Sequence, residues 1–171
     1  MKPFQELWWK QARSDYQVFI RFRDIGGFEP CHALHYLQMA TEKISKAYSW
    51  RDDTPPKMSH TGFRMFLKLL TKNNRQESRN RLASIFGFSR FSDFEGRIKA
   101  AFEVAYELER LAPALAGDGP NPEYPWPHAA PQFAPMAYEF PVWKALTTSK
   151  GRELMKFLKS AVEQFPEYAH L

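Results

Sequence analysis

Residues 30–48 read PCHALHYLQMATEKISKAY, and the spacing of their apolar members decides the fold. Leu34, Leu37, Ala40, Ile44, Ala47 and Tyr48 recur at steps of three and four, which places them on one face of an α-helix. Pro30 suits the first helical turn, because its missing N–H would have no partner there. The same period extends outward in both directions. Upstream, Pro3 opens a helix to about Asp24 with Phe4, Leu7, Trp8, Ala12, Tyr16, Phe19 and Ile20 in phase, and Gly26-Gly27 ends it. The two helices are expected to pair antiparallel.

Downstream, Asp52-Asp53-Thr54-Pro55-Pro56 reads as a turn, followed by a short helix marked by Phe63, Phe66, Leu67 and Leu70 and another over about Gln76 to Phe86. Ser92-Asp93-Phe94-Glu95 has the form of a capping box. A long helix through Ile98, Ala101, Phe102, Ala105, Leu108, Leu111 and Ala112 follows, ending at Pro113 and Gly117. The last helix carries Leu154, Phe157, Leu158, Ala161, Val162 and Phe165, with Ser149 as its expected cap and Pro166 as its stop. Residues 113–141 hold 8 of the 13 prolines, interleaved with Tyr124, Trp126, Phe133, Tyr138 and Phe140. Such a segment is too broken for regular structure and too apolar for a free linker, so a long loop packed on the bundle is expected. The expected architecture is one all-α domain over residues 1–171. It is an antiparallel helical bundle of four to five main helices, with a long proline- and aromatic-rich loop before the last.

At 171 residues, 44% hydrophobic and 16% aromatic, the chain has ample material for one core. Cys31 is the only cysteine, which excludes an internal disulfide and a multi-cysteine zinc site. No apolar run approaches the ~20 residues of a membrane span, and the reading is of a cytoplasmic protein with no membrane partner. The formal charge is +5, unevenly distributed: residues 1–100 carry 18 basic against 10 acidic side chains, residues 101–171 carry 6 against 9. The stretch 57–99 alone holds 10 basic residues against Glu77, Asp93 and Glu95. Such a bias points to a polyanionic partner.

Trp8-Trp9-Lys10-Gln11-Ala12-Arg13-Ser14-Asp15-Tyr16, then the Gln38, Glu42, Lys43, Lys46 and Ala47 pattern, then Ser59-His60-Thr61 resemble the HEPN (higher eukaryotes and prokaryotes nucleotide-binding) family over about residues 8–70. The resemblance implies a four- or five-helix bundle, often a homodimer. Its members include metal-independent ribonucleases of toxin–antitoxin type, nucleotide-binding partners of nucleotidyltransferases, and non-catalytic RNA-associated modules. The ribonuclease members carry Arg followed four to six residues later by His. None of His32, His35, His60, His128 and His170 has such an Arg, and Arg79-Asn80-Arg81-Leu82-Ala83-Ser84 has Ser in the His position.

Two sets of candidate residues follow. Asp15, Gln38, Glu42, Lys43, Lys46 and His60 form the family's polar strip, read either as ion pairing within the bundle or as a polar floor for a nucleotide. Lys68, Lys72, Arg75, Arg79, Arg81, Arg90 and Arg97 form a basic surface able to neutralise phosphates, with Phe86, Phe88, Phe91 and Phe94 either stacking on bases or filling the core. Cys31, His32 and His35 have a spacing from which imidazoles could share a metal with His60, but acidic and thiol ligands to complete a site are missing nearby. No catalytic residue, cofactor or metal is assigned, and there is no P-loop, no Gly-x-Ser-x-Gly elbow and no His-Glu-x-x-His. The leading expectation is a non-catalytic HEPN-like protein that binds RNA, a nucleotide or a protein partner handling them. One alternative is a metal-independent ribonuclease with His60 brought to Arg79 and Arg81. The other is an assembly module that grips a partner protein through the loop.

Overall fold

The first 50 residues form a helical hairpin. α1 (Pro3–Ile25) and α2 (Pro30–Ser49) are joined through Gly26 and Gly27, both at positive φ, a backbone region that favours glycine. Their contacts run in opposite senses: Phe4 stacks on Trp50 at 4.8 Å, Lys43 reaches Asp15, and Phe22 meets Tyr36 edge-on at 5.6 Å. The computed structural model describes residues 1–50, 55, 60–117, 119–126 and 134–171. The turn expected at Asp52 to Pro56 therefore lies almost wholly outside the described residues.

α3 (Gly62–Thr71), α4 (Gln76–Ile85) and α5 (Phe91–Glu109) follow, then the short turns α6 (Pro113–Ala116) and a 3-10 turn at Pro135–Ala137, then α7 (Pro141–Ala145), α8 (Ser149–Glu163) and α9 (Phe165–Tyr168). Among the described residues there is no strand, so the chain is all-α, with α2 central and in contact with α1, α3, α5 and α8. The expected stripe of α2 is buried throughout, from Leu34 to Tyr48. Burying one such leucine or isoleucine side chain is worth about 1.5–3 kcal/mol, and this helix anchors the core.

An aromatic cluster drawn from five elements fills the centre. Phe86 stacks on Phe157 at 5.0 Å and meets Phe94 at 5.1 Å and Tyr168 at 5.3 Å, while Phe66 lies 5.1 Å from Tyr48. Trp9 ties α1 to α8 by donating its indole N–H to the Val162 carbonyl at 2.7 Å.

Four sequence expectations are corrected. Phe4 and Leu7, expected inside, are 55% and 61% exposed, because they fall to the side of the α1 face that buries Gln5, Ala12, Asp15, Tyr16 and Phe19. The Ser92–Glu95 capping box does not form. α5 starts at Phe91, which is buried against Phe94, while Asp93 is held by the Arg90 guanidinium at 3.0 Å and Glu95 pairs with Lys99. α8 is capped by Thr148 rather than Ser149, the Thr148 hydroxyl accepting the Gly151 N–H at 3.1 Å. Segment 113–141 is not wholly irregular, since α6 and the 3-10 turn lie in it and α7 begins at its last residue. Residues 118 and 127–133 of that segment are outside the description. Trp126 is buried at 3% against Tyr138 and Phe140, as a packed loop requires.

Candidate functional site

α2 positions the polar strip. Gln38, Glu42 and Lys46 are four residues apart and therefore share a face, and all three side chains are buried. Glu42 is their centre. One carboxylate oxygen takes the Lys46 ammonium at 2.5 Å; the other lies 3.1 Å from Gln38 Nε2 and 2.8 Å from His60 Nδ1. Burial alone would raise the Glu42 carboxyl, but the hydrogen bonds from Lys46, His60 and Gln38, with the Lys46 charge, outweigh it and hold it below the usual carboxylate range. Lys46 also sits over the Trp8 ring at 5.1 Å. One turn away, Asp15 accepts Lys43 at 2.5 Å and Gln11 at 3.0 Å, which locks α1 to α2.

The six residues of the strip fall into two sets, Asp15 with Lys43 in one and Glu42 with Gln38, Lys46 and His60 in the other. Their polar atoms are largely satisfied by each other, the pattern of a buried network that specifies helix register. His60 is the member that reaches outward, with 40% of its side chain exposed.

The seven basic candidates are divided. Lys68 lies over the Phe102 ring at 5.4 Å and Arg79 over Phe91 at 4.6 Å. Arg90 is held by Asp93, and Arg97 by Glu153 at 2.6 Å. These four do not form one surface. Lys72, Arg75 and Arg81 do converge, on an open depression of about 680 Å³ between the end of α3 and the start of α4. Asn73, Asn74 and His170 line it too, with Glu77 as the acidic member. Asn73 shapes the connection, its side chain accepting the Arg75 N–H at 3.1 Å and donating to the Leu171 carbonyl at 3.1 Å. Among the described residues Lys72, Arg75 and Arg81 make no ion pair, and these three cations share the depression with the Glu77 carboxylate.

Three of the four phenylalanines between these cations point inward, Phe94 fully buried and Phe86 and Phe91 nearly so, while Phe88 is half-buried with its ring 5.9 Å from that of Phe94. Phe86, Phe91 and Phe94 belong to the core. Cys31 is buried, and that burial pushes its thiol pKa up, away from thiolate chemistry. His35 Nδ1 faces Glu123 at 3.4 Å. Among the described residues no three His, Cys, Asp or Glu side chains gather as a metal site. No described helix is long and apolar enough to cross a membrane.

Sequence reasoning missed two features built across distant segments. Glu109, buried at the end of α5, grips Arg64 of α3. A groove between α1 and α8 gathers cations from both ends of the sequence. Neither a family model, nor a curated protein, nor a solved structure matches the chain.

Proposed function

We propose that the chain is a non-catalytic HEPN-like module that binds RNA or a nucleotide through the depression between α3 and α4. The observation that carries this reading is the convergence of Lys72, Arg75 and Arg81, free of ion pairs among the described residues, on one concave surface. Two asparagines beside them supply donors for phosphate or base oxygens. The family part rests on Asp15, Gln38, Glu42, Lys43, Lys46 and His60, since the residues that carry the resemblance are the ones that interlock α1, α2 and the approach to α3.

A second reading has one observation in its favour. The Glu42 carboxylate at 2.8 Å orients the half-exposed His60 imidazole, as an acid–base histidine requires. Arg79 lies over Phe91 and Arg81 lines the depression, a lining that does not include His60. The third reading, an assembly module gripping its partner with loop tryptophans, loses Trp126 to the core.

Titrating a labelled single-stranded oligouridylate tests the proposal. Binding should weaken with salt at a log–log slope of roughly −2, three phosphates at about −0.7 each, and the Lys72→Ala, Arg75→Ala, Arg81→Ala variant should lose most of it. The RNA should stay intact in the presence of chelator. Absence of binding at low salt, or binding indifferent to the three substitutions, rejects the reading; cleavage abolished by His60→Ala replaces it with the ribonuclease one.

A further inference from the structure

α1 and α8 lie side by side, fixed at one end by the Trp9 to Val162 hydrogen bond, and between them runs an open groove of about 800 Å³. Its floor is apolar. Tyr16 and Ile20 come from α1, Met155 and Val162 from α8, and Leu146 closes one end. Its walls are cationic, with Arg13, Arg21 and Arg23 along α1 facing Arg152, Lys156 and Lys159 along α8. Residues 152, 156 and 159 step by four and three, so helix geometry alone brings them to one edge.

Two acidic residues, Asp24 and Glu163, share the lining with these six cations. Asp24 is engaged by Arg23 at 2.7 Å. Lys156 leans on Glu153 at 3.4 Å, and the Arg152 guanidinium donates to the Thr147 carbonyl. Arg13, Arg21 and Lys159 form no ion pair among the described residues, so the groove holds an excess of positive charge on both walls.

The floor decides between polyanions. Bases bind by stacking on aromatic faces, whereas this floor is aliphatic except for Tyr16, which is only 7% exposed. An amphipathic helix matches both features, since its apolar stripe meets Ile20 and Met155 while carboxylates on its flanks meet the walls. The flexible Met155 thioether suits a surface that must mould to aliphatic side chains. From Arg13 to Asp24 the groove is roughly 16 Å long at about 1.5 Å per residue, room for about three helical turns. We propose that the α1–α8 groove docks an acidic amphipathic helix of a partner protein. This site is separate from the α3–α4 depression and does not rest on RNA binding.

The probe is a labelled peptide of about 14 residues, with leucine at helical spacing and glutamate elsewhere, compared with a scramble of the same composition lacking the stripe. At low salt the striped peptide should bind, the scramble about tenfold more weakly, and Lys156→Glu with Lys159→Glu should reduce binding by about tenfold. Met155→Glu should weaken it as well, with Met155→Gln as a milder floor variant and circular dichroism confirming that each is folded. The Lys72, Arg75 and Arg81 substitutions should leave peptide binding unchanged, which separates this test from the one above. Equal binding of stripe and scramble, no binding at all, or displacement of the peptide by oligouridylate with no effect of Met155→Glu, would each overturn the proposal.

Discussion

Glu109 clamps Arg64 twice: one carboxylate oxygen accepts the Arg64 backbone N–H at 2.9 Å and the other the guanidinium Nε at 2.5 Å. That N–H belongs to the first turn of α3, where helical amides have no intrahelical acceptor, so a side chain from α5 completes the helix start and complements its dipole. Arg64 also lies over the Tyr106 ring at 4.4 Å. Glu109→Ala should therefore lower unfolding stability by about 2–4 kcal/mol, more than truncating an exposed pair would, because Glu109 is 2% exposed. Urea denaturation checks this, and a loss under about 0.5 kcal/mol would show that the clamp contributes nothing beyond a surface pair.

The Glu42 network makes stability depend on acid. Its carboxyl is held below the ordinary value of 4.5, so its contribution is complete above that pH and disappears as pH falls through the lower folded-state value. Urea midpoints measured from pH 7 down to about 3 should fall more steeply for the natural chain than for Glu42→Gln, which is less stable at pH 7 but has lost this titration. Parallel pH profiles for the two proteins would contradict the assignment.

The start of α8 offers a sharp comparison. Thr148→Ala removes the hydroxyl that accepts the Gly151 N–H and should cost about 1 kcal/mol, while Ser149→Ala should change little. Gly151→Ala should be worse than either, since a Cβ there would overlap the Ala145 carbonyl oxygen and part α7 from α8, at a cost of about 2–4 kcal/mol. Thermal melts of the three variants order them, and a larger loss in Ser149→Ala than in Thr148→Ala would move the cap back to Ser149.

The parts of the fold legible in the sequence were those set by local period. Leu34 to Tyr48 repeats at helical spacing over a buried helix, so periodicity and burial agree. Phe4 and Leu7 keep steps of three and four, yet stay exposed because they lie to one side of the face the bundle covers, and spacing alone does not mark that edge. Ser92 and Glu95 have the right spacing for a box, but burying Phe91 draws the helix start two residues earlier, and Asp93 answers to Arg90. At the candidate sites, Gln38, Glu42 and Lys46 were readable as one strip because they sit on one helix, whereas Asp15 and His60 reach it from other segments. Counting charge over 57–99 named Lys72, Arg75 and Arg81, which share one depression, but could not reveal that Lys68 and Arg79 cover rings or that Arg97 meets Glu153 of α8.

The groove between α1 and α8 changes how the molecule looks from a distance. Along the sequence the charge is polar, a basic first hundred residues and an acidic remainder. Folding folds that polarity away, because the cations of 152–159 come to rest beside those of 13–23. Salt screens exposed charges over a Debye length of about 8 Å, so an approaching acidic molecule feels each cationic face from close by and is not steered to the 57–99 stretch alone. It meets two attractive faces, and the chemistry of each floor, amide-lined in one and aliphatic in the other, decides which of them it keeps.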